Sequence, residues 1–354
     1  RVIGKRLRLA RNAAGLSLRG LQRKIDGRVT AQAIGKYERD ESMPSSDVLL
    51  ALANALNVCL EHLVSDGDLV LEAVDFRKRA LTRRKDEARV QAMVLHFLER
   101  YLAIESILGL PGDRWDRPRE APFPVRQYAD ADHAARGVRG HWGLGLDPIP
   151  NFIELLEERG VKVMSAELPG IDGVTASVRR SGKESLPVVV VNGADWGERQ
   201  RFTLAHELGH LVLAVGPDIE AERAAHRFAG ALLMPAESLW SVVGRHRQSV
   251  SRGELLEIKK LFGVSVQAVA FRCRDLGIFS DSLFRSLFRQ FSRAGWRTPP
   301  YREPFAMPPA QPMRFERLCY RALAEGAVSE AKAAELLGIP VRDLRARMAG
   351  RGLN

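Results

Sequence analysis

The sequence predicts a mostly helical α+β protein with one small sheet, and three patterns support this class. Apolar residues recur at helical spacing along much of the 354-residue chain, as in "VLLALANAL". The runs "GVTASVRRSG" and "LPVVVVN" predict two strands around a glycine-containing turn, and "GVKVM" predicts a third strand. No apolar run approaches the ~18 residues that a membrane span needs, so we expect no membrane partner.

The length predicts more than one domain, and composition shifts suggest the boundaries. Residues 1–65 form a helical block, and residues 66–125 predict a helical spacer that ends in the Pro-rich stretch "LPGDRWDRPREAPFPV". Residues 126–248 contain the strand signals. Residues 249–354 predict a mostly helical accessory region, including "AVSEAKAAELLGIPVRDLRARM", which has the spacing of a helix-turn-helix. For this region we favour an accessory unit with a basic surface over a second nucleic-acid contact.

Composition favours a partner of acidic character and a reducing compartment. The formal net charge is +11, which makes nucleic acid the first candidate partner. The cysteines Cys59, Cys273 and Cys319 form no CxxC pair, so we expect free and mostly buried thiols. The first residues show no hydrophobic signal core. We therefore expect a cytoplasmic protein.

The N-terminal block has the signals of two short helices joined by a turn. Ser17 suits an N-cap before Leu18–Ile25, Thr30 suits a second before Ala31–Glu38, and Asp26-Gly27 is a turn signal between them. Residues 1–40 carry eleven basic and three acidic side chains. These features predict a basic helix-turn-helix whose second helix enters the major groove of double-stranded DNA.

The segment His206-Glu207-Leu208-Gly209-His210 predicts a zinc site on a helix. Residues four apart lie on one helix face, so His206 and His210 can bind the same metal ion. Such a site binds zinc through three protein ligands and leaves a position for water. Glu207, about 100° around the helix from His206, is the candidate catalytic base that activates this zinc-bound water.

The third ligand is expected on the following helix, "DIEAERAAHRFAGALLMP". Its acids are Asp218, Glu220 and Glu222. Glu222 shares one face with Ala225 and His226, whereas Glu220 is expected to be a solvated acid at the helix N-terminus. His226 could orient a ligand, donate a hydrogen bond in the transition state, or simply be a packed histidine.

The stretch "RFTLAHELGHLVL" followed by "ERAAHRFAGALLMP" resembles the ImmA/IrrE family of zinc metallopeptidases. The resemblance covers residues 126–248 and implies a zincin-like domain with one Zn²⁺ per chain and Glu222 as the third ligand. Two positions depart from the family pattern, because Ala224 replaces a common acid and His226 a common asparagine. Members of this family cleave a repressor protein after stress signals, so the resemblance implies a metalloendopeptidase with a repressor-type substrate.

The N-terminal block resembles the five-helix XRE family of DNA-binding domains through "IGKRLRLAR", "GLSLRGL", "AIGKYERDE" and "LLALANALNV". Under this resemblance Thr30, Ala31 and Gln32 begin the recognition helix, and Gln32 can pair with adenine. Arg28 and Lys36 would contact phosphates. A homodimer is expected because such modules usually read two half-sites.

Two functions from different classes follow from these features. The first is a DNA-binding zinc endopeptidase that regulates transcription. The alternative is a DNA-binding regulator or antitoxin-like repressor whose peptidase-like domain acts mainly as a sensor. The intact set of ligands and the presence of Glu207 favour the enzyme.

Overall fold

The computed structural model describes residues 3–56, 58, 60–64, 69–78, 84–110, 114–167, 171–179, 184–298 and 301–350. Its helices are α1 (Gly4–Ala13), α2 (Leu18–Lys24), α3 (Ala31–Glu38), α4 (Ser46–Leu56), α5 (Leu60–Val64), α6 (Arg84–Ile107), α7 (Asp130–His141), α8 (Phe152–Glu158), α9 (Gly197–Val212), α10 (Ala221–Leu233), α11 (Ala236–Val243), α12 (Arg252–Phe262), α13 (Val266–Asp275), α14 (Asp281–Arg293), α15 (Arg314–Ala324), α16 (Glu330–Leu337) and α17 (Val341–Met348). Its strands are β1 (Val70–Lys78), β2 (Phe123–Val125), β3 (Lys162–Ala166), β4 (Ile171–Arg179), β5 (Leu186–Asn192) and β6 (Leu213–Val215). The protein is an α+β fold with mostly helical structure, as the sequence predicts.

Helices α1–α5 form the N-terminal all-helical unit around their own core. The Ser17 side chain accepts a hydrogen bond from the Gly20 amide at 3.0 Å, so it caps α2 as the sequence predicts. Thr30 caps α3 in the same way, accepting from the Ala33 amide at 3.1 Å. Leu21 and Ile34 are fully buried between these helices. The two capped helices therefore have the helix-turn-helix arrangement.

The described part of the segment after this unit begins with the strand β1, although the sequence predicted a helical spacer over residues 66–125. Strand β1 pairs antiparallel with β4, with Val70 opposite Arg179 and Phe76 opposite Val174. Apolar residues at 70, 73 and 74 also fit helical spacing, so periodicity alone does not separate the two structures over so short a run. The antiparallel pairing of residues 70–78 with β4 makes this segment a strand.

A four-stranded sheet in the order β1-β4-β5-β3 lies between two helices. Strand β5 pairs antiparallel with β4 and parallel with β3, and its residues are all buried. Val188 and Val190 pack with Leu98 and Leu102 of α6. Val189 and Val191 belong instead to the core that contains α9. The run "VVVV" is uninterrupted because helices cover both faces of this strand.

The largest core extends beyond the boundary that the sequence suggested at residue 248. It joins α7–α11 to α12, α13 and α14 through fully buried side chains such as Leu255, Val269 and Phe291. Strands β2 and β6 form a separate parallel pair at the end of α9. Because one core spans Phe123 to Trp296, we propose that the domain predicted for residues 126–248 extends further and includes α12–α14.

The final helices, α15–α17, surround a small core of their own that also contains Tyr101 and Ile104 of α6. The Pro-rich segment before them packs on α9. The Gly197 amide donates to the Met307 carbonyl at 2.8 Å, and the Ala310 amide donates to Gln200 Oε1 at 2.8 Å.

Cys273 and Cys319 are free and buried, and burial raises the pKa of each thiol to about 12. Cys59 lies outside the described residues. Among the helices of the described chain, none combines the length and the apolar character that a bilayer span requires.

Candidate functional site

The segment from His206 to His210, for which the sequence predicted a zinc site, lies on α9, which packs between the sheet and α10. His206 and Glu207 are buried, with 0% and 2% of their surfaces exposed, and His210 is partly exposed. Their positions on one continuous helix keep the two histidines one turn apart on the same face. The Nε2 atoms of His206 and His210 are 3.0 Å apart.

Helix α10 brings Glu222 to these histidines. Its Oε2 lies 3.3 Å from His206 Nε2, and its Oε1 lies 3.3 Å from His210 Nε2. Among the described residues, these three side chains form the one group of histidines, cysteines and acids whose ligand atoms lie within 4.8 Å of one another. The other two acids considered from the sequence are not in the group. Asp218 lies in the turn before α10, and Glu220 is its N-cap residue.

The separations of these atoms suit a single zinc ion. Tetrahedral coordination at roughly 2.0–2.1 Å places two ligand atoms roughly 3.3 Å apart. The three separations of 3.0, 3.3 and 3.3 Å are close to that value. Two imidazole nitrogens and a carboxylate are also a donor set that zinc peptidase sites use. The residues present therefore fit zinc.

Small residues allow α9 and α10 to approach closely enough to share a metal. A Cβ atom at Gly209 would lie 3.1 Å from Phe228 Cδ1 and 3.3 Å from the Ala225 Cα. Ala225 and Ala229 are buried on the facing side of α10. The sequence alone predicted no role for Gly209 within the motif.

Strand β4 positions Glu207. The Thr175 hydroxyl donates a hydrogen bond to Glu207 Oε2 in the buried interior. Gly173 lies beside the same carboxylate, where a Cβ atom would be 3.1 Å from Glu207 Oε1 and 2.9 Å from Thr203 Cγ2. Sequence reasoning missed both residues. The available signal was a glycine inside a strand pattern, which often marks a close approach.

His226 lies next to the candidate ligands without belonging to the ligand group. Its ring centroid is 4.5 Å from that of His206 and 5.6 Å from that of Phe202. The side chain also lines a cavity of about 670 Å³ that includes Glu222. This position is compatible with a hydrogen bond to a ligand held in the cavity.

The cavity beside His206, His210 and Glu222, which we call the metal group, is rich in arginine and aromatic side chains. Six arginines line it: Arg199, Arg223, Arg227, Arg272, Arg274 and Arg297. Trp196 and Tyr301 stack against each other in its wall, with ring centroids 5.7 Å apart. Burial raises the pKa of Asp275, which also lines it, against the opposing effect of the nearby arginines. The volume falls in the range of small-ligand and side-chain pockets.

The candidate DNA contacts lie at the start of α3 and just before it. Arg28, Gln32 and Lys36 are exposed, and Ala31 is partly exposed. Thr30 is exposed too, but its hydroxyl already caps α3. Gln32 and Lys36 are four residues apart and therefore share the outward face of the helix.

Comparison with known families assigns two regions of the chain. Residues 7–63 match the helix-turn-helix family, and residues 156–274 match the family of IrrE N-terminal-like domains, peptidase family M78. The second match contains the motif helix, Glu222, helix α12 and all but the last residue of α13. No curated protein matches the chain. The chain thus joins an XRE-type helix-turn-helix domain to an IrrE-like domain of the M78 peptidase family.

Proposed function

We propose that this chain is a DNA-binding zinc metallopeptidase that regulates transcription by cleaving a repressor-type protein. The observation that carries the proposal is the group formed by His206, His210 and Glu222, with the buried carboxylate of Glu207 on the same helix. The two family matches support a DNA-binding regulator that contains a peptidase-family domain. The endopeptidase activity and its substrate are the further steps that we propose.

Each residue of the site has a distinct role in this mechanism. His206, His210 and Glu222 would hold one zinc ion. When bound, zinc supplies Lewis acidity, which polarises a peptide carbonyl and lowers the pKa of water toward ~7. Glu207 accepts the proton of the attacking water and passes it to the leaving amine. Thr175 keeps the Glu207 carboxylate in place through its hydrogen bond.

The substrate is proposed to be a peptide segment that enters the cavity next to Glu222. His226 lines this cavity, and its proposed role is to donate a hydrogen bond as negative charge develops on the peptide carbonyl. The wall has six arginines against four acids (Glu198, Glu220, Glu222 and Asp275), and this excess of positive charge favours an acidic or carboxylate-bearing segment over a basic one. A repressor protein is the substrate class that the family resemblance implies.

The N-terminal domain would direct the peptidase to DNA-bound substrates. We propose that Gln32 and Ala31 contact base edges, and that Arg28 and Lys36 contact phosphates. Thr30 begins the recognition helix by capping it. We also propose a cytoplasmic location, where the DNA is, and a homodimer that reads two half-sites.

The replacement Glu207→Gln tests the proposed chemistry. We expect the purified parent chain to cleave a repressor encoded beside its gene, and a zinc chelator to stop the cleavage. Glu207→Gln should retain zinc and DNA binding, while the cleavage rate falls by about 10²–10⁴, the usual contribution of a general base. Product formation followed by mass spectrometry measures both effects.

The matched control is Glu237→Gln, which removes an exposed carboxylate of α11 outside the metal group. This variant should cleave at the parental rate. Parental cleavage by Glu207→Gln would eliminate the proposed base. If the zinc-loaded parent cleaved none of the repressors yet bound DNA, the result would support the sensor function instead.

A further inference from the structure

The last three helices form a unit whose role neither family match covers. Helices α15, α16 and α17 enclose their own core, whose buried members from this unit are Leu318, Cys319, Ala322, Val328, Ala333, Ala334, Leu336 and Leu344. The unit packs on α6 through Tyr101 and Ile104. The matches end at residue 274, so the unit belongs to neither matched region.

Helices α16 and α17 are joined as in a helix-turn-helix. The Ser329 hydroxyl caps α16 by accepting from the Lys332 amide at 3.2 Å. Gly338 ends that helix in the left-handed region, with φ of +69°, and the Ile339 amide donates to the Ala334 carbonyl at 3.0 Å. Only residues 338–340 separate the two helices. A three-residue turn with a glycine is the connection that this DNA-binding geometry uses.

Basic charge concentrates on the second of these helices. Leu344 anchors α17 in the core with 0% of its surface exposed. Arg342, two positions earlier, points away from the core, with 86% of its side chain exposed. Ala346 lies on the same outward face because it is four residues from Arg342. A long arginine beside a small residue lets a helix approach a groove closely.

Two more arginines of α17 are held only at the surface. Arg345 pairs with Glu330 at 2.6 Å, and Arg347 pairs with Glu316 at 3.2 Å. Both pairs are exposed, and exposed pairs contribute little to stability. These guanidinium groups can therefore exchange a carboxylate for a phosphate at small cost.

The exposed face of α17 is suited to a polyanion rather than to a protein groove. A helix that docks in a protein groove presents a row of apolar anchors. Within the described part of α17, Met348 is the exposed large hydrophobic residue. The helix otherwise presents three arginines and one aspartate. Charge and geometry together favour duplex DNA.

We propose that residues 314–348 are a second helix-turn-helix that binds duplex DNA, with α17 as the recognition helix. With α17 lying in the major groove, Arg342, Arg345 and Arg347 each contact a backbone phosphate of the duplex. This replaces the accessory role that the sequence favoured for the region. The proposal does not depend on the peptidase activity, because no residue of the metal group takes part.

The test measures binding of the full chain to a fluorescein-labelled duplex of mixed sequence, about four helical turns long, over a series of NaCl concentrations. The variant R342A/R345A/R347A should weaken binding by about tenfold or more. It should also make the slope of log K against log[NaCl] shallower by about 2–3, as three lost contacts predict. The same loss should occur in a Lys36→Ala background, because distant sites contribute additively.

Two further variants make the result decisive. R285A/R289A/R293A removes the same charge from exposed positions of α14 and should change the slope much less. R342A alone breaks only the surface pair of Arg342 with the adjacent Asp343 and leaves the pairs of Arg345 with Glu330 and of Arg347 with Glu316 intact. It should produce about a third of the slope change, so a folding defect cannot account for the loss. An unchanged slope for R342A/R345A/R347A would overturn the proposal. An equal loss for the α14 variant would also overturn it.

Discussion

Thr175 and Gly173 show how the proposed catalytic carboxylate depends on residues outside its motif. Thr175 donates its hydroxyl to Glu207, and Gly173 leaves room for the same side chain. Both residues lie on β4, more than 30 positions before Glu207 in the chain. The strand therefore fixes the orientation of a group that α9 carries.

The replacement Thr175→Val tests this positioning role. Valine has nearly the shape of threonine but cannot donate a hydrogen bond to the Glu207 carboxylate. We expect repressor cleavage to slow by about 10- to 150-fold, since a hydrogen bond to a charged group contributes about 1.5–3 kcal/mol. Zinc content should stay at the parental level, as measured by mass spectrometry of the metal.

Thr175→Ser is the matched control, because it keeps the hydroxyl and loses only a methyl group. It should restore most of the cleavage rate. If Thr175→Val cleaved as fast as the parent, the hydrogen bond would have no role in the reaction. If serine were as slow as valine, packing rather than the hydroxyl would be responsible.

Spacing along the chain predicted the candidate ligands but not the residues that support them. His206 and His210 lie four apart on one helix, so their proximity follows from helix geometry alone. Glu222 was preferred from its helix face and from family resemblance, and the structure places it 3.3 Å from both histidines. The contacts of Thr175 come from the packing of a strand on a helix. The spacing of residues along the chain does not predict which strand packs against which helix.

At the scale of elements, α6 and α8 meet through buried polar groups. The Tyr101 hydroxyl donates to Glu157 Oε1 at 3.1 Å. Close by, Lys162 Nζ donates to both carboxylate oxygens of Glu105, at 2.7 and 2.8 Å. Burial raises the pKa of Glu157 to about 7, and its hydrogen bond with Tyr101 opposes the shift only in part. A glutamate that titrates near neutrality links stability to pH.

The sign of this link follows from the direction of the shift. The folded-state pKa of Glu157 is about 7, above its ordinary value of 4.5, so the folded state binds the proton more tightly. The stability that comes from this tighter proton binding at Glu157 is fully present below about pH 4.5 and is lost as the pH rises to about 7. The total is on the order of 3 kcal/mol.

The replacement Glu157→Gln is therefore expected to raise the free energy of unfolding at pH 8 relative to the parent. It should also remove part of the decline in stability between pH 5 and pH 7. Glutamine stays neutral, and its carbonyl oxygen can still accept from Tyr101. Urea unfolding at several pH values measures the effect, and the difference from the parent cancels the other titrating groups.

The neighbouring exposed residue supplies the control, since Glu158→Gln removes a carboxylate without touching the buried pair. Its unfolding free energy should follow that of the parent at every pH. A pH profile of Glu157→Gln parallel to the parent's would mean that Glu157 is ionised across this range.

Sequence patterns predicted the capped helices better than the strand β1. Ser17 and Thr30 cap their helices through contacts within three residues, so local sequence contains the whole interaction. Strand β1 is defined by pairing with β4, about one hundred residues away. Its short apolar pattern fits either structure. The sequence pattern does not predict pairing between segments so far apart in the chain.

At the scale of the whole molecule, one helix contacts the DNA-binding domain, the sheet and the C-terminal unit. Arg6 of α1 forms an ion pair with Glu99 of α6. Leu98 of the same helix packs on the sheet, and Tyr101 packs against α15. Charge composition indicated a basic DNA-binding block, and the motif from His206 to His210 indicated a separate peptidase-like region. Neither feature predicted that α6, which lies between these regions in the chain, would contact both of them and the C-terminal unit.

The zinc content of the purified chain shows directly whether the group on α9 and α10 binds this metal. Mass spectrometry of the metal should find about one zinc per purified chain. His206→Ala should remove it, whereas His246→Ala, which changes an exposed histidine outside the group, should retain it. A parent chain with His206 intact that binds no zinc, even after incubation with the metal, would mean that these three side chains are not a zinc site.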